Sequence, residues 1–214
     1  PDLLHLDIVK AHEDFVTALK ASGMPYAILR PNGFFSDMGE YVKMAEKGRV
    51  YLIGPGDNRI NPIHGADLAE ACVDAVGHMD EAERVSAAER LEKPKPVSAA
   101  ERLDAAGENL REIDIGGPEV LTHREIARLA LQAVGKPVRT TSVPVWVMRA
   151  VVTLTRAFNR HQGELLAFFT EAMTADAVAP KTGSRTLAGH FQELAAESRR
   201  AAGSTLGVGV RSGR

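Results

Sequence analysis

The stretch Met24-Pro25-Tyr26-Ala27-Ile28-Leu29-Arg30-Pro31-Asn32-Gly33-Phe34-Phe35 reads as a buried strand with a sharp exit. Tyr26 to Leu29 is a short apolar run with β-forming residues, entered through Gly23 and Pro25. Pro31 has no amide hydrogen for a ladder and closes the strand. Asn32-Gly33 then predicts a tight, left-handed turn. That turn would throw Phe34 and Phe35 out at the strand's carboxyl end. Ligands of open α/β sheets bind there, so the two aromatics are candidate pocket walls.

Upstream, Leu3 to Ser22 predicts an amphipathic helix with Ile8, His12, Phe15 and Leu19 as its inner face and Gly23 as its cap. A helix feeding a buried strand is an αβ unit, so the class is α/β. Downstream, Ser36 to Lys47 predicts a helix burying Met38, Tyr41, Val42 and Ala45 and stopped by Gly48. Val50 to Ile53 reads as a strand, Gly54 to Asn58 as a turn cluster, and Asn61 to His64 as an extended piece. Asp67 stands where a helix begins and reads as an N-cap or first-turn acid. Residues 78–109 are rich in Glu, Ala, Arg and Lys and hold a short repeat, Val85 to Leu91 recurring as Val97 to Leu103. Two copies are too few for a solenoid, so a solvated insertion is expected.

After it, Arg111 to Ile115 alternates as a strand, and Thr122 with Glu125 forms an S/T-x-x-E capping box that opens a helix to Gly135. A strand over Val138 to Val143 and helices over Val145–Phe158, Glu164–Met173 and Thr186–Ser198 complete the chain, with Leu187, Phe191 and Leu194 sharing a face. A disordered Gly-rich tail is expected over 201–214.

The 214 residues suffice for a real core, and 44% hydrophobic with 25% charged residues is ordinary for a globular chain. A net charge of -2 gives no basic surface to argue for nucleic acid or for an anionic membrane. The single Cys72 excludes an internal disulfide and fits a reducing compartment, from which a cytoplasmic location is expected. No apolar run is long enough to span a bilayer, and no secretory signal opens the sequence. The histidines show no metal-binding spacing, so no metal site is expected. No G-x-S-x-G elbow is present.

Three stretches together resemble the C-terminal part of the atypical and extended short-chain dehydrogenases/reductases, the NmrA-like NAD(P)-binding proteins included. They are Lys10-Ala11-His12-Glu13 with Ala21 to Phe35, Asn61-Pro62-Ile63-His64-Gly65-Ala66-Asp67-Leu68-Ala69, and Ile113 to Thr122 with Glu125-Ile126-Ala127. A fourth, Phe168 to Leu194, is similar to that family's C-terminal cap. The resemblance implies the C-terminal part of a Rossmann-type parallel sheet over 1–35 and 110–135, with Tyr26–Leu29 and Arg111–Ile115 as its last strands. It implies a small substrate-side lobe over 36–77 and 136–200. It also implies NAD or NADP as cofactor, with Lys10, Pro31, Asn32, Gly33 and Phe34 toward the cofactor. Phe35, Met38, Tyr41 and His64 would face a small apolar substrate.

Two departures qualify that expectation. No G-x-G-x-x-G or G-x-x-G-x-x-G, the turn that cradles a pyrophosphate, occurs anywhere in the sequence. The sequence therefore reads as an incomplete member of its family, with an unpaired sheet edge that invites a homo-oligomer. In the family a tyrosine four residues before the lysine moves the proton. Here Lys10 is preceded at that distance by Leu6, so no catalytic residue is assigned. Three functions remain open: an oxidoreductase-like or isomerase-like enzyme, a non-catalytic dinucleotide sensor or assembly factor, and a remnant that binds no cofactor.

Overall fold

The computed structural model describes residues 6–77 and 112–207, side chains up to 201. The insertion over 78–109 lies outside the described residues. In chain order the elements are α1 (Asp7–Ala21), β1 (Ile28–Pro31), α2 (Phe35–Glu46), β2 (Val50–Ile53), β3 (Arg59–Ile60) and α3 (65–77). There follow β4 (Glu112–Ile115), β5 (Leu121–Thr122), α4 (His123–Ala133), β6 (Thr140–Val143), α5 (Val145–Phe158), α6 (Arg160–Ala172) and α7 (Leu187–Gly207). The class is α/β, with parallel strand pairs.

β1 and β4 run parallel, Ile28 opposite Glu112 and Pro31 opposite Ile115. Parallel neighbours need a crossover, and the whole span from α2 to the insertion supplies it. β2 pairs in parallel with β6, and β3 pairs antiparallel with β5. The main core lies between α2, α4, α7 and β2, where Phe35, Met38, Tyr41, Val42, Leu52, Ile126, Leu131, Leu187 and Phe191 interlock. The Thr122–Glu125 capping box forms as expected, each residue bonding the other's backbone amide. Gly48 and Gly135 end their helices at positive φ.

Several expectations need correcting. The first strand begins and ends two residues later than Tyr26–Leu29, and all four of its residues are half-buried rather than buried. Neither Asn32 nor Gly33 adopts a left-handed conformation. Space is what restricts Gly33, because a Cβ there would press on the Ile60 Cδ1. On α1 the covered side runs through Val9, Glu13, Val16 and Leu19, while Ile8, His12 and Phe15 face outward. Two ion pairs set that rotation: Arg30 of β1 grips Glu13 with both terminal nitrogens, 2.6 and 3.1 Å, and Lys20 pairs with Glu112 of β4. The Arg30 hydrogen bond holds the Glu13 carboxyl below its usual pKa. Finally, the last helix continues to Gly207, past the point where a disordered tail is expected.

Candidate functional site

Beyond the carboxyl ends of β1 and β4 the chain leaves through Asn32-Gly33-Phe34 and Gly116-Gly117-Pro118. The segment 59–63 passes between these exits. The Ile63 amide donates to the Gly33 carbonyl at 2.9 Å, and the Phe35 amide donates to the Ile63 carbonyl at 3.1 Å. On the other side the Gly117 amide donates to the Asn61 carbonyl at 2.8 Å. A third segment, 177–182, closes over both. The Ala177 amide reaches the Arg59 carbonyl, and Gly116 exchanges bonds with Pro180 and Thr182, at 2.8–2.9 Å.

Asn61 is the hub of this joint and is fully buried. Its Oδ1 accepts from Asn32 Nδ2 at 2.6 Å and from the Ala179 amide at 2.9 Å. Its Nδ2 donates to the carbonyls of Gly117, 3.1 Å, and Ala179, 2.9 Å. All its hydrogen-bonding capacity is thus used, which makes its burial tolerable. The paired glycines follow from this approach: a Cβ on Gly116 would overlap the Asn61 carboxamide, and one on Gly117 would overlap the Pro62 carbonyl.

Asp67 stands in the first turn of α3, one of the two places the sequence allows it, and is not the N-cap. Its buried carboxylate crosses to the 183–185 loop, accepting from the amides of Ser184 and Arg185 at 3.2 and 3.1 Å and from the Arg185 guanidinium. Burial works to raise the carboxyl's pKa, but these donors outweigh it and hold it below the usual value. Gly183 at φ +78° leaves the room that this carboxylate fills.

The candidate residues divide between this joint and other places. Pro31, Asn32, Gly33 and Phe34 line the β1 exit, all half-buried. Asn32 Nδ2 also donates to the Ala177 carbonyl, whereas its Oδ1 is buried with no partner. Phe35 is buried with its ring edge-on to His64, centroids 5.6 Å apart, and tilted against His190 at 5.5 Å. His64 and His190 meet edge to face at 5.6 Å. Burial first, and His64 second, depress the His190 pKa, and its Nε2 has no partner. Met38 and Tyr41 lie one and two turns along α2 in the packed core. The Tyr41 hydroxyl meets His123 Nδ1 at 2.8 Å, and burial raises the phenol's pKa and lowers the imidazole's. Lys10 sits apart on the exposed side of α1, paired with Asp14 one turn on. Leu6 is buried against Val152 of α5 and Ala167 of α6.

Sequence reading missed four residues that build this region: Asn61 as hub, Arg185, His190 and His123. The Asn61-Pro62-Ile63-His64 stretch and the Gly116-Gly117 pair were the available signal for the first. His190, Arg185 and His123 owe their roles to contacts from distant segments and left no local trace.

No protein-family model matches the chain. It is similar to the chloroplastic divinyl chlorophyllide a 8-vinyl-reductase of Zea mays, 24% identical over 139 residues, covering 63% of this chain and 28% of that protein. The Cucumis sativus enzyme of the same name is 27% identical over 135 residues, covering 61% and 26%. The chain thus spans about a quarter of the length of the curated relatives it matches. Among solved structures it is similar to a nucleoside-diphosphate-sugar epimerase from Staphylococcus aureus, with a TM-score of 0.50 at 17% identity over 83% of this chain and 55% of that one. The resemblance to the short-chain dehydrogenases/reductases stands as a likeness of fold.

Proposed function

We propose that this chain forms the nicotinamide-side and substrate-side part of an NAD(P)-binding domain of the atypical short-chain dehydrogenase/reductase type, acting as an oxidoreductase or isomerase on a small apolar substrate. The observation that carries the reading is the parallel β1–β4 pair with both exits locked by Asn61. That arrangement holds Asn32, Gly33 and Phe34 still where open α/β sheets take their ligands. The cofactor fits at one atom in particular. Asn32 Oδ1 is a buried acceptor without a donor, and a carboxamide N–H would satisfy it. A bound nicotinamide cofactor would supply the hydride. This chain's part is to orient the ring end through Pro31, Asn32, Gly33 and Phe34. Phe35 and His64 would meet the substrate, Met38 and Tyr41 backing them. The similarity to vinyl-reductases supports a reductive reaction on an apolar group.

A second reading is non-catalytic: a dinucleotide sensor or assembly factor. Leu6 favours it, because the position that the resemblance gives to the proton donor is packed into a hydrophobic cluster with Val152 and Ala167. Calorimetric titration of NADPH and NADH, followed by assay against enal and quinone acceptors, separates the two. The first reading, as an oxidoreductase, expects binding with cofactor oxidation. Binding without oxidation excludes that and, where no substrate is isomerised either, selects the sensor, and no heat with either nucleotide overturns both. Asn32→Leu, which removes the acceptor at nearly unchanged volume, should weaken binding at least about tenfold in the same titration if the carboxamide makes the contact.

A further inference from the structure

The net charge of -2 hides a strong asymmetry. Residues 126–163 contain Arg128, Lys136, Arg139, Arg149, Arg156 and Arg160 and not one Asp or Glu. With 28 acidic residues in 214, a stretch of this length would hold about five. At its centre lies α5, which packs Val152 inward on Leu6 and Ala167. Its opposite side is apolar and open. Trp146 is 72%, Leu154 61%, Phe158 86% and Val151 42% exposed, with Ala150 and Ala157 between them. At 3.6 residues per turn these six cover an arc of about 140°. No side chain in the arc except the indole can form a hydrogen bond. The hydroxyls of Thr153 and Thr155 turn back onto their own helix, on the carbonyls of Arg149 and Val151, at 2.9 and 2.8 Å. The helix is held firmly from behind, because Gly163 of α6 lets the backbone at Arg156 approach too closely for any Cβ.

We propose that this face of α5 docks on an anionic lipid surface, lying in the interface without crossing the bilayer. Among the described residues no helix is long and apolar enough to cross a membrane. A protein partner would ordinarily be met by some hydrogen-bonding groups, about one per 100–200 Å². This arc offers none beyond the tryptophan, whose amphipathic ring is suited to the headgroup level. An apolar arc within a cationic segment suits acyl chains below anionic headgroups. Carboxylates from outside the segment moderate the charge: Arg149 pairs with Glu171 at 3.9 Å, Arg156 with Glu164 at 3.1 Å and Arg160 with Asp7 at 2.8 Å. Arg128 lies 3.8 Å from Glu125. Lys136 and Arg139 have no carboxylate in ion-pair range among the described residues, and both are exposed.

Trp146 is the only tryptophan of the chain, so its fluorescence reports on this face alone. The test adds phosphatidylcholine vesicles, with and without about one third phosphatidylglycerol, to the full chain at low salt. Expected are a blue shift and co-sedimentation with the anionic vesicles only, both reversed by salt. Leu154→Glu with Phe158→Glu should weaken binding at least about tenfold at an unchanged melting temperature, since both side chains are exposed. Lys136→Gln and Arg139→Gln should each weaken it about fivefold and flatten the salt dependence. An equal response to neutral vesicles, no response to either kind, or a blue shift that follows protein concentration without vesicles overturns the proposal.

Discussion

The lobe around α2, α4 and α7 and the strand pair with α1 are built on opposite terms. In the lobe, five residues of α2 and five of α4 are buried, and Phe191 of α7 is sealed between them. In α1 no residue is buried, β1 is half-covered along its length, and Ile8, Phe15 and Met24 stand in solvent. What holds the second region is largely polar, beside the contact of Val9 with the Leu6 cluster: Arg30 on Glu13, Lys20 on Glu112, and the Asn61 joint. Apolar burial stabilises in proportion to area and tolerates no voids. Exposed ion pairs contribute little, whereas a buried and satisfied carboxamide is costly to disturb. The two regions should therefore fail differently.

The largest effect is expected at Phe191. Phe191→Ala should lower unfolding free energy by about 3–5 kcal/mol, because the side chain is wholly buried and its neighbours cannot all collapse. Denaturant titration of this variant beside Val16→Ala on α1, expected to lose under about 1 kcal/mol, measures the contrast directly. Equal losses would mean that the two regions form one continuous core.

Asn61→Ala comes next. It strands the Ala179 amide and carbonyl and the Gly117 carbonyl, and leaves Asn32 Nδ2 only the Ala177 carbonyl. A loss of about 2–3 kcal/mol is expected. The same titration checks it, and a loss below about 0.5 kcal/mol would show that water replaces the side chain and that the joint is looser than its geometry. If the joint also orders the ligand exit, Asn61→Ala should weaken dinucleotide binding even where the protein remains folded.

Acid should then weaken the lobe before the strand pair. Burial lowers the His123 pKa, so the unfolded chain takes up a proton more readily than the folded one. Unfolding free energy must therefore fall as pH drops below the ordinary histidine value of 6.5 toward the folded value. His190 acts in the same direction. Glu13 and Asp67, whose carboxyls are held low, lose their contribution only nearer the carboxylate range. Melting curves between pH 7 and 5 should show a decline in stability that is smaller in His123→Gln. A flat profile would mean that the Tyr41–His123 contact admits a proton freely.

How much was legible follows the same division. The α2 face, the capping box at Thr122, the β2 boundaries and the Leu187–Phe191 face were readable because periodicity and local hydrogen bonding decide them. The parallel pairing of β1 with β4 followed from the αβ order and the resemblance. The rotation of α1 was not readable, because Arg30, Lys20 and Glu112 set it from other segments. At the site, Asn32-Gly33-Phe34 stood out as a strand exit. The hub at Asn61 is formed by carbonyls and amides 29 to 118 residues away, which no local pattern encodes.

The smallest effect is the sharpest test of that rotation. Ile8, His12, Phe15 and Leu19 have the spacing of a buried face, yet Phe15 is 67% exposed, and the cover falls on Val9, Val16 and Leu19. Periodicity shows which side of a helix could be buried; only a neighbour decides which side is. Phe15→Ser should therefore change unfolding free energy by less than about 0.5 kcal/mol. Val9→Ser should cost about 1–2 kcal/mol, because Val9 packs on the Leu6, Val152 and Ala167 cluster. The pair is read by thermal melts of the two variants at equal concentration. If Phe15→Ser proves the more damaging, α1 is turned the other way in solution. The Arg30–Glu13 pair would then have lost to the apolar stripe, since Glu13 lies on the Val9 side of the helix and cannot stay on Arg30 when that side faces out.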